Sequence, residues 1–326
     1  MIEKEIKTIS SVCEYLSIVE QIQRDPGRKL TMKPVLYRGE TRRYDEIYAS
    51  LFRDDIDAKK GTSRFRFKNI YEESLLYQNA ERMFPSIFKE CRNALDKMVK
   101  MQHYGLPTRL LDVTENPLVA LYFACADYST SGNDGRILCE KDLDYADSNE
   151  FETIRMLANF VYHNDLSMFY LPELDEVLQI KDAKGDKNFV YERFKYYLTT
   201  TFLIKPPALN ERIRAQQGAI LFSSIVQPGG VYDNDLSEKI QSGEIDRENI
   251  RKILLKKNPE PLKDLFEEIC VIPVEIKESI INELDDLGVN MAALFPDEEH
   301  QMRYVYDKFV RGKKTDRYTI AKIDNL

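Results

Sequence analysis

The stretch from Pro117 to about Asp127 reads PLVALYFACAD, a predicted helix that is apolar nearly all round. A helix without a polar face has to be covered on every side, so the chain must build layers around it. Asn116 and Pro117 mark its start, an N-cap residue followed by proline at the first helical position. Just ahead lies a turn-rich passage, Met101 to Glu115, which sets His103, Tyr104, Thr108, Arg109, Asp112, Thr114 and Glu115 between two apolar helices. Polar groups in a loop at the edge of a core are where sites tend to lie, and a helix start can also receive an anion.

Around this segment the periodicities alternate between helix and strand. Val12, Tyr15, Leu16, Val19 and Ile22 recur at helical spacing behind Ser10 or Ser11, and the Asp25-Pro26-Gly27 turn ends that helix. Val35-Leu36-Tyr37 reads as a strand running into Arg38-Gly39. Two helices are predicted between Asn69 and Gln102, broken at Pro85, the second with Ile87, Phe88, Cys91, Leu95, Met98 and Met101 on one face. A short apolar run follows at Leu110-Leu111, and strands are predicted over Arg136–Cys139, Phe202–Ile204, Ala219–Phe222 and Cys270–Ile272. Residues 145–190 read as mainly helical with a polar loop at Lys181–Asn188, and 228–261 as irregular and charged. A helix over Ile276–Leu287 stops at Gly288, a left-handed cap, and a last helix follows Pro296. No linker divides the pattern, which predicts a single α+β domain over 30–311, preceded by an N-terminal helix in 1–29 and followed by a polar tail, 312–326.

A hydrophobic fraction of 43% and a charged fraction of 31% describe a globular chain rather than a disordered one. The five cysteines are scattered, without a CxxC pair, which argues against a disulfide framework and against a zinc site; no metal is expected. The N-terminal residues do not read as a signal peptide, and no stretch approaches the roughly 20 apolar residues of a membrane span. A cytoplasmic protein without a membrane partner is therefore expected. The net charge of −8 counts against a broad grip on nucleic acid. Arg42-Arg43 and the Arg64, Arg66, Lys68 group read as solvated faces. Asp54-Asp55-Asp57, Asp285-Asp286 and Asp297-Glu298-Glu299 read as loop or cap charges, not as a catalytic metal cluster. GxGxxG, Walker, HExxH and GxSxG motifs are all missing.

Three segments carry the chemistry. In Tyr37-Arg38-Gly39-Glu40 an arginine at a strand end can offer a planar fork to phosphate or carboxylate; equally, it can be buried against an internal carboxylate such as Asp112. In the Met101–Pro117 passage, site and scaffold readings stand even, with Arg109–Asp112 as a structural ion pair and Thr114 or Asn116 as a cap on the second. In Glu211-Arg212-Ile213-Arg214-Ala215-Gln216-Gln217-Gly218 a Gln or Glu can point into a cleft, or the amides can finish a helix.

These segments resemble the FRG domain, named for a (Phe/Tyr)-Arg-Gly motif. Tyr37-Arg38-Gly39 matches the name, Gln102–Asp112 and Asn116–Ala124 the long central signature, and Arg214, Gln216 and Gly218 a third block. Gly288 with Leu294-Phe295-Pro296-Asp297 is similar to the family's ending, so the resemblance runs over about 30–305. Val113 stands where the family usually has Trp. The pattern is also similar to that of ADP-ribosyltransferases, and that likeness implies a split, mostly antiparallel sheet flanked by helices. It implies NAD as substrate, with a macromolecular acceptor and a toxin or host-defence role. Arg38 would hold the diphosphate, Thr114 would order the ribose, and Gln216 or Gln217 would replace the usual Glu, helped by Glu115 or Glu211. Tyr104 or Tyr122 would stack on nicotinamide and His103 orient a hydroxyl, with Tyr37, Gly39 and Arg109 among the cofactor-binding positions. The same resemblance allows a binding module that keeps the fold without the chemistry, recognising a nucleotide or a protein.

Overall fold

The computed structural model describes residues 6–25, 33–57, 62–65, 70–127, 132–164, 196–205, 211–225 and 262–314. Its centre is a seven-stranded sheet in the order β1 (Lys7–Thr8), β9 (Glu267–Ile272), β6 (Gly135–Glu140), β2 (Leu36–Glu40), β5 (Leu110–Thr114), β8 (Gly218–Phe222) and β7 (Phe202–Ile204). All neighbours run antiparallel except β1 and β9. A separate hairpin pairs β3 (Asp54–Asp57) with β4 (Thr62–Phe65). The expected mixed, mostly antiparallel architecture is present. The sheet is one continuous body, not two, yet it is nearly parted in the middle. Strands β2 and β5 meet at one position, Tyr37 opposite Thr114, whereas β2–β6 and β5–β8 each pair over five.

Side chains alternate across the strands, so each strand feeds two different layers. On one face, α1 (Val12–Gln23), α4 (Pro117–Cys125) and α7 (Lys277–Asp286) cover Tyr37, Ile137, Cys139, Cys270 and Ile272. On the same face but beyond the parting, α2 (Ile70–Met83), α3 (Ala94–His103) and α5 (Ser148–His163) cover Leu110, Ile204, Ile220 and Phe222. Leu36, Leu111, Val113, Leu138 and Leu221 point the other way, against Ile47, Leu51, Phe52 and Leu262. The short helices α6 (Glu211–Ala215) and α8 (Met291–Leu294) are followed by α9 (Glu298–Lys314). Among the described residues no helix is long and apolar enough to cross a membrane.

The apolar helix α4 is buried as its sequence demands, with Val119, Ala120, Leu121, Ala124 and Cys125 at most 1% exposed. It lies so close to β2 that a Cβ on Gly39 would stand 1.8 Å from the carbonyl oxygen of Ala120. Gly135 on β6 yields in the same way to Ala124, at 2.5 Å. The glycine of Tyr-Arg-Gly is therefore required by packing, and it also lines the cleft between β2 and β5. The N-terminal helix is likewise no separate unit. Tyr15 is fully buried, its hydroxyl donates to the Pro117 carbonyl at 3.0 Å, and β1 extends the sheet.

Several sequence boundaries move. Ile87 and Phe88 sit in a 3-10 turn, Pro85–Phe88, and α3 starts later because Asn93 caps it by accepting from the Asp96 amide at 2.9 Å. The Leu110-Leu111 run extends to a five-residue strand. Asp54-Asp55-Ile56-Asp57 forms strand β3 rather than a loop or a cap. The last helix runs to Lys314, past the expected boundary at 311. The loop at Lys181–Asn188, the 228–261 stretch and the final residues from 315 lie outside the described residues.

Because the clash at Gly39 is with backbone, no rotamer relieves it. Gly39→Ala should cost about 3 kcal/mol or more, the upper range for overpacking. Gly105→Ala has open space but a positive φ, and should cost only about 1–2 kcal/mol. Urea denaturation midpoints of the two variants check the difference.

Candidate functional site

Where β2 and β5 part, a cleft of about 280 Å³ opens. Arg38, Thr114 and Gln216 all line it, together with Asp112, Arg53 and Arg212. Three blocks far apart in sequence thus meet at one place. Gln217 does not line it; this residue turns through a left-handed conformation at φ 46° and its side chain is exposed.

Arg38 bridges the parting. Its Nη1 donates to the backbone carbonyl of Asp112 at 2.8 Å, and its Nε to Glu40 at 3.1 Å. The internal carboxylate that Arg38 pairs with is thus Glu40 rather than Asp112. Glu40 is 4% exposed and is shared with Arg136, which donates to it from Nε at 2.9 Å and Nη2 at 2.7 Å. Arg136 continues to Glu268 at 3.3 Å, and Glu268 to Arg43 at 3.4 Å. Beneath the loop that follows β2, the fully buried Lys277 donates to the Thr41 carbonyl at 2.7 Å and to Asp127 at 2.8 Å.

Arg53 has a different standing. Its Nε donates to the Tyr48 carbonyl at 3.0 Å, and its guanidinium lies 5.5 Å from the Tyr44 ring, which also carries Arg42 at 4.7 Å. Among the described residues no carboxylate forms an ion pair with Arg53. Burial, and then the charge of Arg38, pull its pKa below the ordinary arginine value, with only partial relief from Tyr44, Glu40 and Asp112. Two guanidiniums facing one cavity form a receptor for an anion. Sequence periodicity gave no signal for Arg53, which follows the 3-10 turn Ser50–Phe52.

The opposite wall is of mixed polarity. Asp112 is exposed there beside Arg212, whose charge it supports, Phe123 lines it, and Ala126 stands at the C-terminal, partially negative end of α4. The N-terminal end, expected to receive an anion, is closed instead. Asn116 accepts from the Leu118 amide at 2.9 Å, and Pro117 and Leu118 are not cleft residues.

The other expected site residues are largely spent on construction. Thr114 donates from Oγ1 to the Gln216 carbonyl at 2.7 Å and accepts from the Asn116 amide at 2.9 Å. Gln216 donates its side-chain amide to the Leu294 carbonyl at 3.1 Å. Arg109, expected among the cofactor-binding residues, is 1% exposed. It forms a bidentate pair with Glu73 of α2, at 2.8 and 2.5 Å, and donates to the carbonyls of Ser223 and Ser224. Its partner is Glu73, not Asp112. Tyr122 is buried against Phe123, so the aromatic group in the cleft is its neighbour. Tyr37 lines the cleft, but the residue is buried in the core beneath α4. His103 and Tyr104 line a different cavity, described below. Glu115 is held by Tyr145 and Lys205; burial opposes its charge, but these two hydrogen bonds outweigh it and lower the pKa. Neither Glu115 nor Glu211 is a cleft residue. Among the described residues no group of His, Cys, Asp or Glu could hold a metal ion.

The FRG domain family model matches residues 33–133, which hold β2, α4 and everything between. The chain carries an FRG domain. No curated protein and no solved structure matches significantly. The FRG match takes in Arg38, Arg53, Asp112 and Thr114 but ends before Arg212 and Gln216, so the third wall of the cleft comes from outside it.

Within the FRG domain the Arg109–Glu73 pair is the most buried charge. Glu73→Ala strands a guanidinium in the core and should cost about 3–5 kcal/mol, the range for breaking a buried pair. Thermal unfolding checks this; an unchanged midpoint would show that the guanidinium finds another partner.

Proposed function

We propose that the protein binds NAD or a closely related dinucleotide in the cleft between β2 and β5, with the diphosphate on Arg38 and Arg53. The observation that carries this reading is the charge of Arg53, without an ion-pair partner among the described residues, beside Arg38 on one side of a cavity whose other side holds Asp112 with Arg212. A diphosphate alone would need only the first side. NAD joins a diphosphate to a cationic pyridinium ring, for which Asp112, Phe123 and the C-terminal end of α4 are the partners on the second side, with Arg212 beside them. The ADP-ribosyltransferase-like order of Arg38, Thr114 and Gln216 supports the same ligand.

Binding is better equipped than turnover. Thr114 spends its one hydroxyl proton on the Gln216 carbonyl, and Gln216 spends one of its two amide protons on the Leu294 carbonyl, so Thr114 cannot donate to a ribose without breaking a structural bond. A second reading, cleavage of the bond between ribose C1′ and the pyridinium nitrogen, rests on Asp112. As that bond breaks, its electron pair leaves with nicotinamide, and the oxocarbenium charge left on the ribose needs a carboxylate nearby. Water then adds at C1′ in a glycohydrolase, or an acceptor group in a transferase.

Calorimetric titration with NAD tests both readings. Arg53→Ala should weaken binding about tenfold or more, as expected for loss of a charge-assisted contact of about 1.5–3 kcal/mol. Equal affinity in the variant would remove the diphosphate assignment. Free nicotinamide released by the unaltered protein, and lost in Asp112→Asn while NAD binding persists, would decide for cleavage; its absence leaves binding alone.

A further inference from the structure

A second cavity, of about 670 Å³, lies between α3 and α6. Leu95, Val99, Ile220 and Pro296 give it an apolar lining, and His103 and Tyr104 stand beside them. Its charged residues nearly cancel, with four carboxylates against Arg92, Lys100 and Arg212. Such a lining favours neither an anion nor a cation. It suits a flat, neutral ring with a polar edge.

The two cavities are not independent, because Arg212 lines both. Its guanidinium lies 4.4 Å from the Phe295 ring, and Nη1 donates to the His103 carbonyl at 3.5 Å. The first cleft, at about 280 Å³, falls below the roughly 300–1,000 Å³ that encloses a drug-sized ligand. A dinucleotide carries two base–ribose halves on one diphosphate, and the cleft has room for one half only. The larger cavity, reached past Arg212, has room for the other.

We infer that the α3–α6 cavity binds the neutral base and ribose of the same dinucleotide, so that one ligand spans both cavities across Arg212. The inference rests on the proposed NAD reading of the first cleft and assigns the adenosine half to the second. Tyr104, 61% exposed, offers a ring on which an adenine can stack. His103 lines the cavity with its Nδ1 buried and without a hydrogen-bond partner among the described residues. Burial and the charge of Arg212 lower its pKa, so the ring is neutral near pH 7, with one nitrogen to donate and one to accept. An orphaned ring nitrogen gives this side chain a reason to turn when a polar edge arrives.

The test compares NAD with nicotinamide mononucleotide, which lacks the adenosine and one of the two phosphates. The unaltered protein should bind NAD at least about tenfold more tightly, and Val99→Trp, which fills the cavity from α3 and leaves the phosphate contacts in place, should cut that advantage several-fold while leaving the mononucleotide unaffected. Equal affinities for the two ligands, or an advantage undiminished by Val99→Trp in a folded variant, would overturn the inference and leave the cleft assignment standing. If neither ligand binds, the cleft assignment falls and this one with it. Because Val99→Trp can disturb folding, a second measurement uses the unaltered protein. Of three histidines in the chain, the imidazole resonances of His103 should shift with NAD and not with the mononucleotide. Unmoved His103 resonances in the presence of bound NAD would also overturn the inference.

Discussion

The close seat of α4 on β2 sets the rest of the architecture. With Gly39 and Gly135 bare, the helix backbone comes down onto two adjacent strands, and its apolar surround is satisfied by sheet, α1 and α7 together. A helix lodged this tightly fixes β2 against β6. Strand β5, which leads directly into α4 through Glu115 and Asn116, meets β2 only at the Tyr37–Thr114 pair. The cleft is the space left by that divergence. It persists because Arg38 spans it, giving the Asp112 carbonyl a side-chain donor where ladder pairing has lapsed.

This explains why so much of the family signature does not touch the cleft. Thr108 donates to Gln102 at 2.6 Å and accepts from the Leu110 amide at 3.2 Å, tying the end of α3 to the start of β5. Arg109 anchors the same strand to α2 through Glu73. Thr114 ties β5 to the Gln216 carbonyl, and Asn116 caps α4. A buried arginine with a bidentate partner is a costly way to hold two elements together, but it is directional, and it fixes where β5 begins. The segment from Met101 to Ala126 thus mostly builds a parted sheet, while Asp112, Thr114 and Phe123 line the cleft.

Periodicity made the elements legible wherever one face was buried. The helix at 12–23, the strands at 202–204 and 218–222, and α4 with its Asn-Pro start are all visible in the pattern. The Asn93 cap is hidden in the sequence because the apolar stripe continues through Ile87 and Phe88 into a 3-10 turn without a break. Strand β3 is hidden because three aspartates outweigh one isoleucine in any hydrophobic pattern. In the site, Arg38, Thr114 and Gln216 are legible through the resemblance, while Arg53 is not. Its place comes from the 47–52 segment packing on Leu111 and Val113, a tertiary contact with no local signature. Phe123 is not distinguished from Tyr122 because a helix apolar all round does not reveal which residue faces an opening.

A chain of net charge −8 has no general attraction for anions, so any affinity of the cleft for the proposed anionic ligand would have to come from its local field. Uneven pairing supplies that field. Along the series Arg43, Glu268, Arg136, Glu40 and Arg38, three guanidiniums share two carboxylates, and Glu40 cannot neutralise Arg38 fully while it also serves Arg136. Arg53 adds a further charge with no carboxylate paired to it among the described residues. Replacing Glu40 would therefore have two opposed effects, less neutralisation of Arg38 and less control of where its fork points. The second should dominate, because a bidentate contact depends on orientation more steeply than on net charge.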